Sequence, residues 1–167
     1  MNEHNMNKHN CVADAGASDT ACSNAAAAIT RGVCRMLRAQ GYEVLREFKL
    51  TSRRRADIAG LDRNGGFVIV EVKSSLADFR ADGKWPEYIP HCDAFYFAVD
   101  GTFPLDVLPG DQGLIVADAF DGVIRRPAPE RRMNGNRRRA QIQYFARQAA
   151  RHLERLIDPG HNASHQP

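Results

Sequence analysis

A chain of 167 residues with 43% hydrophobic and 26% charged content is long enough for one domain with its own core and too short for two of ordinary size. No apolar run approaches the length of a membrane span, and the opening MNEHNMNKHN lacks the basic-then-apolar order of a signal peptide, so the expected location is cytoplasmic, without a membrane partner. The formal charge of +3 is unevenly placed: residues 1–120 carry 13 Lys and Arg against 16 Asp and Glu, whereas residues 121–167 carry 10 against 4. Such a basic end suits either contact with a polyanion or a solvated helix face. Cys11, Cys22, Cys34 and Cys92 lack the paired short spacing of zinc sites and redox motifs, and are expected to be free thiols.

Residues 1–24, rich in Asn, Ala, His, Ser and Asp without periodicity, read as a disordered low-complexity tail. His4, His9 and Cys11 fall in it and offer a metal no fixed geometry. The ordered domain is expected over 25–158, with 159–167 as a second tail. From a candidate cap at Ser23 or Asn24, the run to Gly41 places Ile29, Val33, Met36 and Leu37 at helical spacing, with Arg31, Arg35 and Arg38 towards solvent. YEVLREFKL (42–50) loosely alternates Val44, Arg46, Phe48 and Leu50 as a strand, and the segment around ADIAGL is a second. DRNGG (62–66) is a turn by composition, and FVIVEVK (67–73) is a β-branched strand. A short helix follows two serines and breaks near Pro86. AFYFAVD (94–100) and GLIVADAF (113–120) are further strands, and a loop rich in Pro, Arg and Gly leads to a C-terminal amphipathic helix. In that helix Ile142, Phe145, Ala149 and Leu153 are expected to face the core, leaving Arg147, Arg151 and Arg155 outward.

One stretch resists this simple reading. In FVIVEVKSS, Phe67, Ile69, Glu71 and Lys73 share one strand face and Val68, Val70 and Val72 the other. Both faces are apolar, so Glu71 and Lys73 are carried into a covered sheet, where an uncompensated charge is costly. The plain explanation is that the two pair with each other near a strand end. The preceding strand offers another: an antiparallel turn centred on Asn64 sets Asp57 directly across from Glu71, and a two-residue turn would face it away. Like charges at opposed positions destabilise a sheet, whereas a divalent cation with a taste for carboxylate oxygens converts them into a site. With an adjacent lysine, such a site has the parts for phosphodiester hydrolysis: the metal polarises the phosphoryl oxygen and acidifies a bound water, and the lysine stabilises developing charge. A second metal or the substrate itself would supply general-base help. His91 and Cys92 are neighbours that point apart in an extended chain, which argues against a nucleophilic dyad.

AD at 56–57, thirteen intervening residues and then EVK at 71–73 resemble the signature of the PD-(D/E)XK nuclease superfamily, with Ala56 in place of the usual proline. The helix, strand, hairpin, helix, strand order around it is that superfamily's core order. More of the chain, including ITRGVCRMLRAQGYEVLREFKL, EVKSSLADFRADGKW, CDAFYFAV and FARQAARHLERLIDP, resembles the MmcB family of bacterial DNA repair proteins over roughly residues 27–158. One departure is Arg53, where that family has glycine before the two arginines. The resemblance implies an α/β, restriction-endonuclease-like fold: a central mixed sheet flanked by helices. It implies Asp57 and Glu71 as ligands of Mg²⁺ (or Mn²⁺), with the Val72 carbonyl as a further ligand, Lys73 as a catalytic residue, and Glu47 as an additional carboxylate. Lys84 and Tyr88 are auxiliary candidates. Asp78 and Asp82 either position the lysines or merely cap and solvate a helix.

The function this implies is metal-dependent hydrolysis of DNA in repair. Its rivals are a catalytically silent repair scaffold of the same fold, which would bind DNA and other repair proteins, and an RNA-directed nuclease. A silent module has no reason to keep a costly trio of charges. Arg53, Arg54 and Arg55 at the mouth of the site and Arg137, Arg138, Arg139, Arg147 and Arg151 are candidates for DNA-backbone contact. Reversing the 137–139 triplet is expected to weaken binding with little change in thermal stability.

Overall fold

The computed structural model describes residues 15–159, so the expected terminal tails lie largely outside the described residues. In chain order come helix α1 (Ala15–Ala39), strands β1 (Tyr42–Lys49), β2 (Arg55–Asp62) and β3 (Phe67–Val72), and helix α2 (Leu76–Ala81). A 3₁₀ segment (Trp85–His91), strand β4 (Ala94–Val99), a 3₁₀ turn (Leu105–Val107), strands β5 (Gly113–Ala117) and β6 (Gly122–Arg126), and helix α3 (Gly135–Ile157) follow. The strands form one sheet in sequential order. β1, β2 and β3 pair antiparallel, β3, β4 and β5 parallel, and β5 and β6 antiparallel. The sheet is therefore mixed and open, as expected.

β3 is buried along its whole length, because its two faces feed two apolar layers. Val68, Val70 and Val72 join Ile58, Ile115 and the α1 residues Ile29, Val33 and Leu37 on one side. Phe67 and Ile69 join Phe95, Phe97, Tyr88 and the α3 residue Phe145 on the other. On that second side Trp85 stacks on Phe95, with ring centroids 5.8 Å apart, and Phe95 meets Phe97 edge-on at 5.1 Å, geometries that aromatic pairs favour.

The β2–β3 turn fixes what these strands present. Asp62 O accepts from Gly65 N at 3.1 Å, and Asp62 N donates to Gly66 O at 3.0 Å. The Asp62 side chain also accepts the N–H groups of Asn64 and Gly66. Gly65 has φ +81°. Asp at the first turn position and a left-handed glycine at the fourth build a three-residue loop, so the register runs Ile58↔Val70 through Leu61↔Phe67. An odd loop length is what sets Asp57 opposite Glu71.

Several expectations need correction. α1 begins at Ala15, about ten residues before the expected cap. The segment read as tail is rich in alanine, the best helix former, and extends a helix whose second half is packed on the sheet. The segment after the β3 lysine is a short helix and a separate 3₁₀ piece, not one broken helix. β6 went unforeseen: its burial alternates, Val123 is exposed, and its basic residues merge by composition with the loop after it. In β1, Tyr42 and Val44 pack with the α1 layer, but Leu45 and Phe48 pack with the α3 layer. The alternation flips because Glu47, between them, adopts φ +53°. In α3, Leu153, expected to face the core, is exposed, and Leu156 and Ile157 beyond it are exposed as well.

Candidate active site

At the end of β3 away from the turn, the carboxylates of Asp57 and Glu71 converge. Val72 N donates to Asp57 Oδ2 at 2.8 Å, and Asp57 N donates to Glu71 Oε1 at 3.4 Å. The side chains have taken over part of the backbone ladder between the two strands, and this holds them in place. Lys73 Nζ lies 3.7 Å from Glu71 Oε2 and 2.5 Å from Asp82 Oδ2. Glu71 and Lys73 are each 3% exposed.

The electrostatics of the group are lopsided. Burial, then the charge of Asp57, pushes the Glu71 carboxyl from its ordinary 4.5 up to about 8. Burial also raises Asp57, against the opposing pull of the Val72 hydrogen bond and the Lys73 charge. Burial alone would lower Lys73, but the Asp82 hydrogen bond and the charges of Glu71 and Asp82 outweigh it and leave the ammonium more stable. Asp82 itself is lowered: its partial burial is overcome by the hydrogen bonds from Lys73 and Lys84 N–H. The lysine is thus held charged, while the two acids jointly lack enough positive charge nearby.

The group lines a cavity of about 600 Å³ together with Glu47, Arg55, Val72, Asp78, Lys84 and Tyr88, and with Ala26, Ala27 and Thr30 of α1. All seven candidate site residues, Asp57, Glu71, Val72, Lys73, Glu47, Lys84 and Tyr88, border one space. Glu47 stands across from Asp57, between the pairs Arg46↔Ile58 and Phe48↔Ala56, and its carboxylate meets Arg55 Nε at 2.7 Å. Left-handed backbone in a non-glycine residue costs roughly 1–2 kcal/mol and concentrates at functional sites. Tyr88 donates its hydroxyl to Arg55 O, and burial followed by the Glu71 and Asp82 charges raises its pKa. Of the acids left open by the sequence, Asp82 positions Lys73. Asp78 helps cap α2, its N–H donating to the Ser75 hydroxyl while its carboxylate accepts from Ser74 N, one residue before the cap.

Val72 also borders the cavity, and Mg²⁺ readily keeps several waters beside one or two carboxylates. Two carboxylates in excess of local positive charge fit such an ion. Among the described residues no three His, Cys, Asp or Glu side chains form a metal-holding group, and an ion placed here would have Asp57 and Glu71 as its side-chain donors. His91 and Cys92 form no dyad: the Cys92 thiol donates to Tyr88 O, and burial pushes it up to about 12.

The candidate DNA-contacting arginines divide. Arg54 makes two 2.6 Å hydrogen bonds to Glu87, Arg55 holds Glu47, and Arg53 sits exposed in a tight turn at φ +66°. Arg137 donates to Pro90 O at 2.7 Å. Arg138 grips both oxygens of Asp93 at 2.8 and 2.6 Å and also donates to Gly65 O. Reversal of the 137–139 triplet would therefore break a structural ion pair, and the expectation of unchanged stability is withdrawn. Arg139, Arg147 and Arg151 are exposed.

An open mixed sheet with helices on both faces, carrying an acidic pair and lysine at its central strand ends, is the restriction-endonuclease-like α/β architecture. A family model described as "DNA repair protein MmcB-like" matches residues 13–160, and the chain belongs to that family, which gives it a role in DNA repair. It is similar to the solved structure of "SPO1766 protein of unknown function from Silicibacter pomeroyi", with 44% identity over 84% of this chain and 97% of that one, and a TM-score of 0.81. No curated protein matches it. No helix among the described residues is long and apolar enough to cross a membrane.

Proposed function

We propose that the protein is a metal-dependent nuclease that hydrolyses DNA phosphodiester bonds during repair. The observation that carries this reading is the buried convergence of Asp57 and Glu71 beside a lysine kept charged by Asp82. Asp57 and Glu71 would hold Mg²⁺ or Mn²⁺, with Val72 O as a backbone ligand; the ion, when bound, polarises a phosphoryl oxygen and lowers the pKa of a water. Lys73 offers a fixed ammonium to the negative charge that grows on the phosphoryl oxygens, and because its place is set before substrate arrives, no reorganisation is needed at the moment of reaction. Asp82 orients that ammonium. Lys84 and Tyr88 border the same cavity and would contact substrate.

The rival reading, a silent DNA-binding scaffold, draws on one observation: the nearby acid Glu47 is ion-paired with Arg55, leaving two side-chain donors. A panel of branched and single-stranded DNA substrates, with Mg²⁺ and with chelator, separates the two. Metal-dependent cleavage by the wild type is expected, with Asp57→Asn and Glu71→Gln losing both cleavage and calorimetrically measured Mn²⁺ binding. A wild type that binds no Mn²⁺ and cleaves nothing would leave the scaffold.

A further inference from the structure

A second cleft runs from the site along the outer edge of the sheet. It has a volume of about 370 Å³ and lies between β1 and the C-terminal half of α3, and it shares Glu47 and Arg55 with the acidic cavity. Arg46 and Lys49 come from the β1 wall, Arg151 and Arg155 from the α3 wall, and the half-buried Tyr144 of α3 also lines the cleft. These four cations differ from the other basic residues near the site. Arg54, Arg55, Lys73 and Arg138 are each ion-paired, whereas among the described residues Arg46, Lys49, Arg151 and Arg155 have no carboxylate within 4.0 Å. The walls are held at a set distance by Gln148, whose side chain accepts from Lys49 N at 3.1 Å and donates to Lys49 O at 2.8 Å. This one amide satisfies both backbone groups of Lys49 at the end of the edge strand β1. Tyr144 meets Phe48 edge-on with centroids 6.1 Å apart, and its hydroxyl has no hydrogen bond among the described residues.

We propose that the cleft between β1 and α3 binds the backbone of a single DNA strand and leads it to the acidic cavity. Four uncompensated cations in two facing rows supply counter-charges for phosphates, and an aromatic side chain in the same cleft supplies a stacking surface for a base. The cleft has the volume of a small-ligand pocket, so a single strand would lie along it with a nucleotide or so sunk between the walls and the flanking phosphates on the cationic rims, and a duplex would stay outside. The proposal rests on the nuclease reading only for the strand's destination, since binding in the cleft requires neither metal nor cleavage.

The test is fluorescence anisotropy with a labelled oligo-dT and with a duplex of equal length, in chelator, across a salt series. Neutralising four phosphates of a single strand gives a slope of log K against log salt of about −3. Arg151→Glu with Arg155→Glu, and separately Arg46→Glu with Lys49→Glu, should each weaken oligo-dT binding at least tenfold at low salt and bring the slope down by about half, with unchanged melting temperatures. Unchanged binding by either double variant would overturn the cleft, as would duplex binding tighter than single-strand binding. Loss of cleavage without loss of oligo-dT binding would remove the nuclease reading and leave the cleft standing.

Discussion

β3 carries a polar cluster at each end, and the two are built on opposite principles. At the turn end, the Asp93 carboxylate accepts the N–H groups of Phe67 and Met133 at 2.8 and 2.9 Å and both arms of Arg138. Although its partial burial opposes ionisation, these bonds and the Arg138 charge hold Asp93 below its ordinary value. At the other end two acids share one lysine, which Asp82 already engages, and burial pushes both acids upward. A network whose groups are satisfied ties elements together; one left short of positive charge is costly unless something binds there. The contrast teaches that similar residue types, a few strand positions apart, form a satisfied tie between elements at one end and a charge-deficient cluster, the proposed metal site, at the other.

The sharpest way to break this contrast is to exchange the losses. Lys73→Met is expected to lower turnover by about 10²–10³-fold while leaving DNA affinity nearly unchanged, as steady-state kinetics and a binding titration would read. Asp93→Ala should do the reverse. It strands two backbone donors and a guanidinium, at a cost of roughly 2–4 kcal/mol, visible in denaturant unfolding, while the acidic site retains its metal affinity. Unchanged turnover in the first variant and no stability loss in the second would overturn the assignment of roles.

pH offers a gentler probe, because the two ends titrate with opposite sign. Glu71 is raised from 4.5 to about 8, so the folded state binds a proton that the unfolded state has released, and the associated stability is full below 4.5 and lost as pH rises towards 8. Asp93 is lowered, so its contribution is present above about 3.8 and disappears as pH falls through its depressed pKa. In chelator, Glu71→Gln should therefore melt higher than wild type at pH 8 and close to it at pH 4.5. An equal offset at both values would exclude Glu71 as the titrating group.

The smallest expected effect concerns the left-handed residue in β1. Glu47→Gly should be more stable than Glu47→Ala by about 1 kcal/mol, since both remove the exposed pair with Arg55 and only glycine accepts φ +53° without strain. Equal stabilities would mean that the strand relaxes out of that conformation once the side chain is gone.

The sequence by itself narrowed the pairing that matters most. The period of two in FVIVEVK and the turn composition at 62–66 are local properties that admit two registers, and it is the three-residue loop of the folded hairpin that selects the one in which Asp57 and Glu71 meet on one face. The six-stranded sheet was legible in five of its strands for the same reason. What local patterning does not carry is the identity of distant partners. Asp82 lies beyond an intervening helix and was ambiguous until the fold brought it to Lys73. Arg138 meets Asp93 across 45 residues, and Gln148 seals Lys49 across 99. A helical wheel sorts α3 into an apolar and a basic stripe, but which stripe faces what near the helix end depends on where the sheet stops. Beyond β1 there is no core left to cover, so Leu153 and Leu156 turn outward while Arg151 and Arg155 border the cleft. Tertiary structure alone decided that division, because the stripe sees its neighbours only after the sheet edge has been placed beside it.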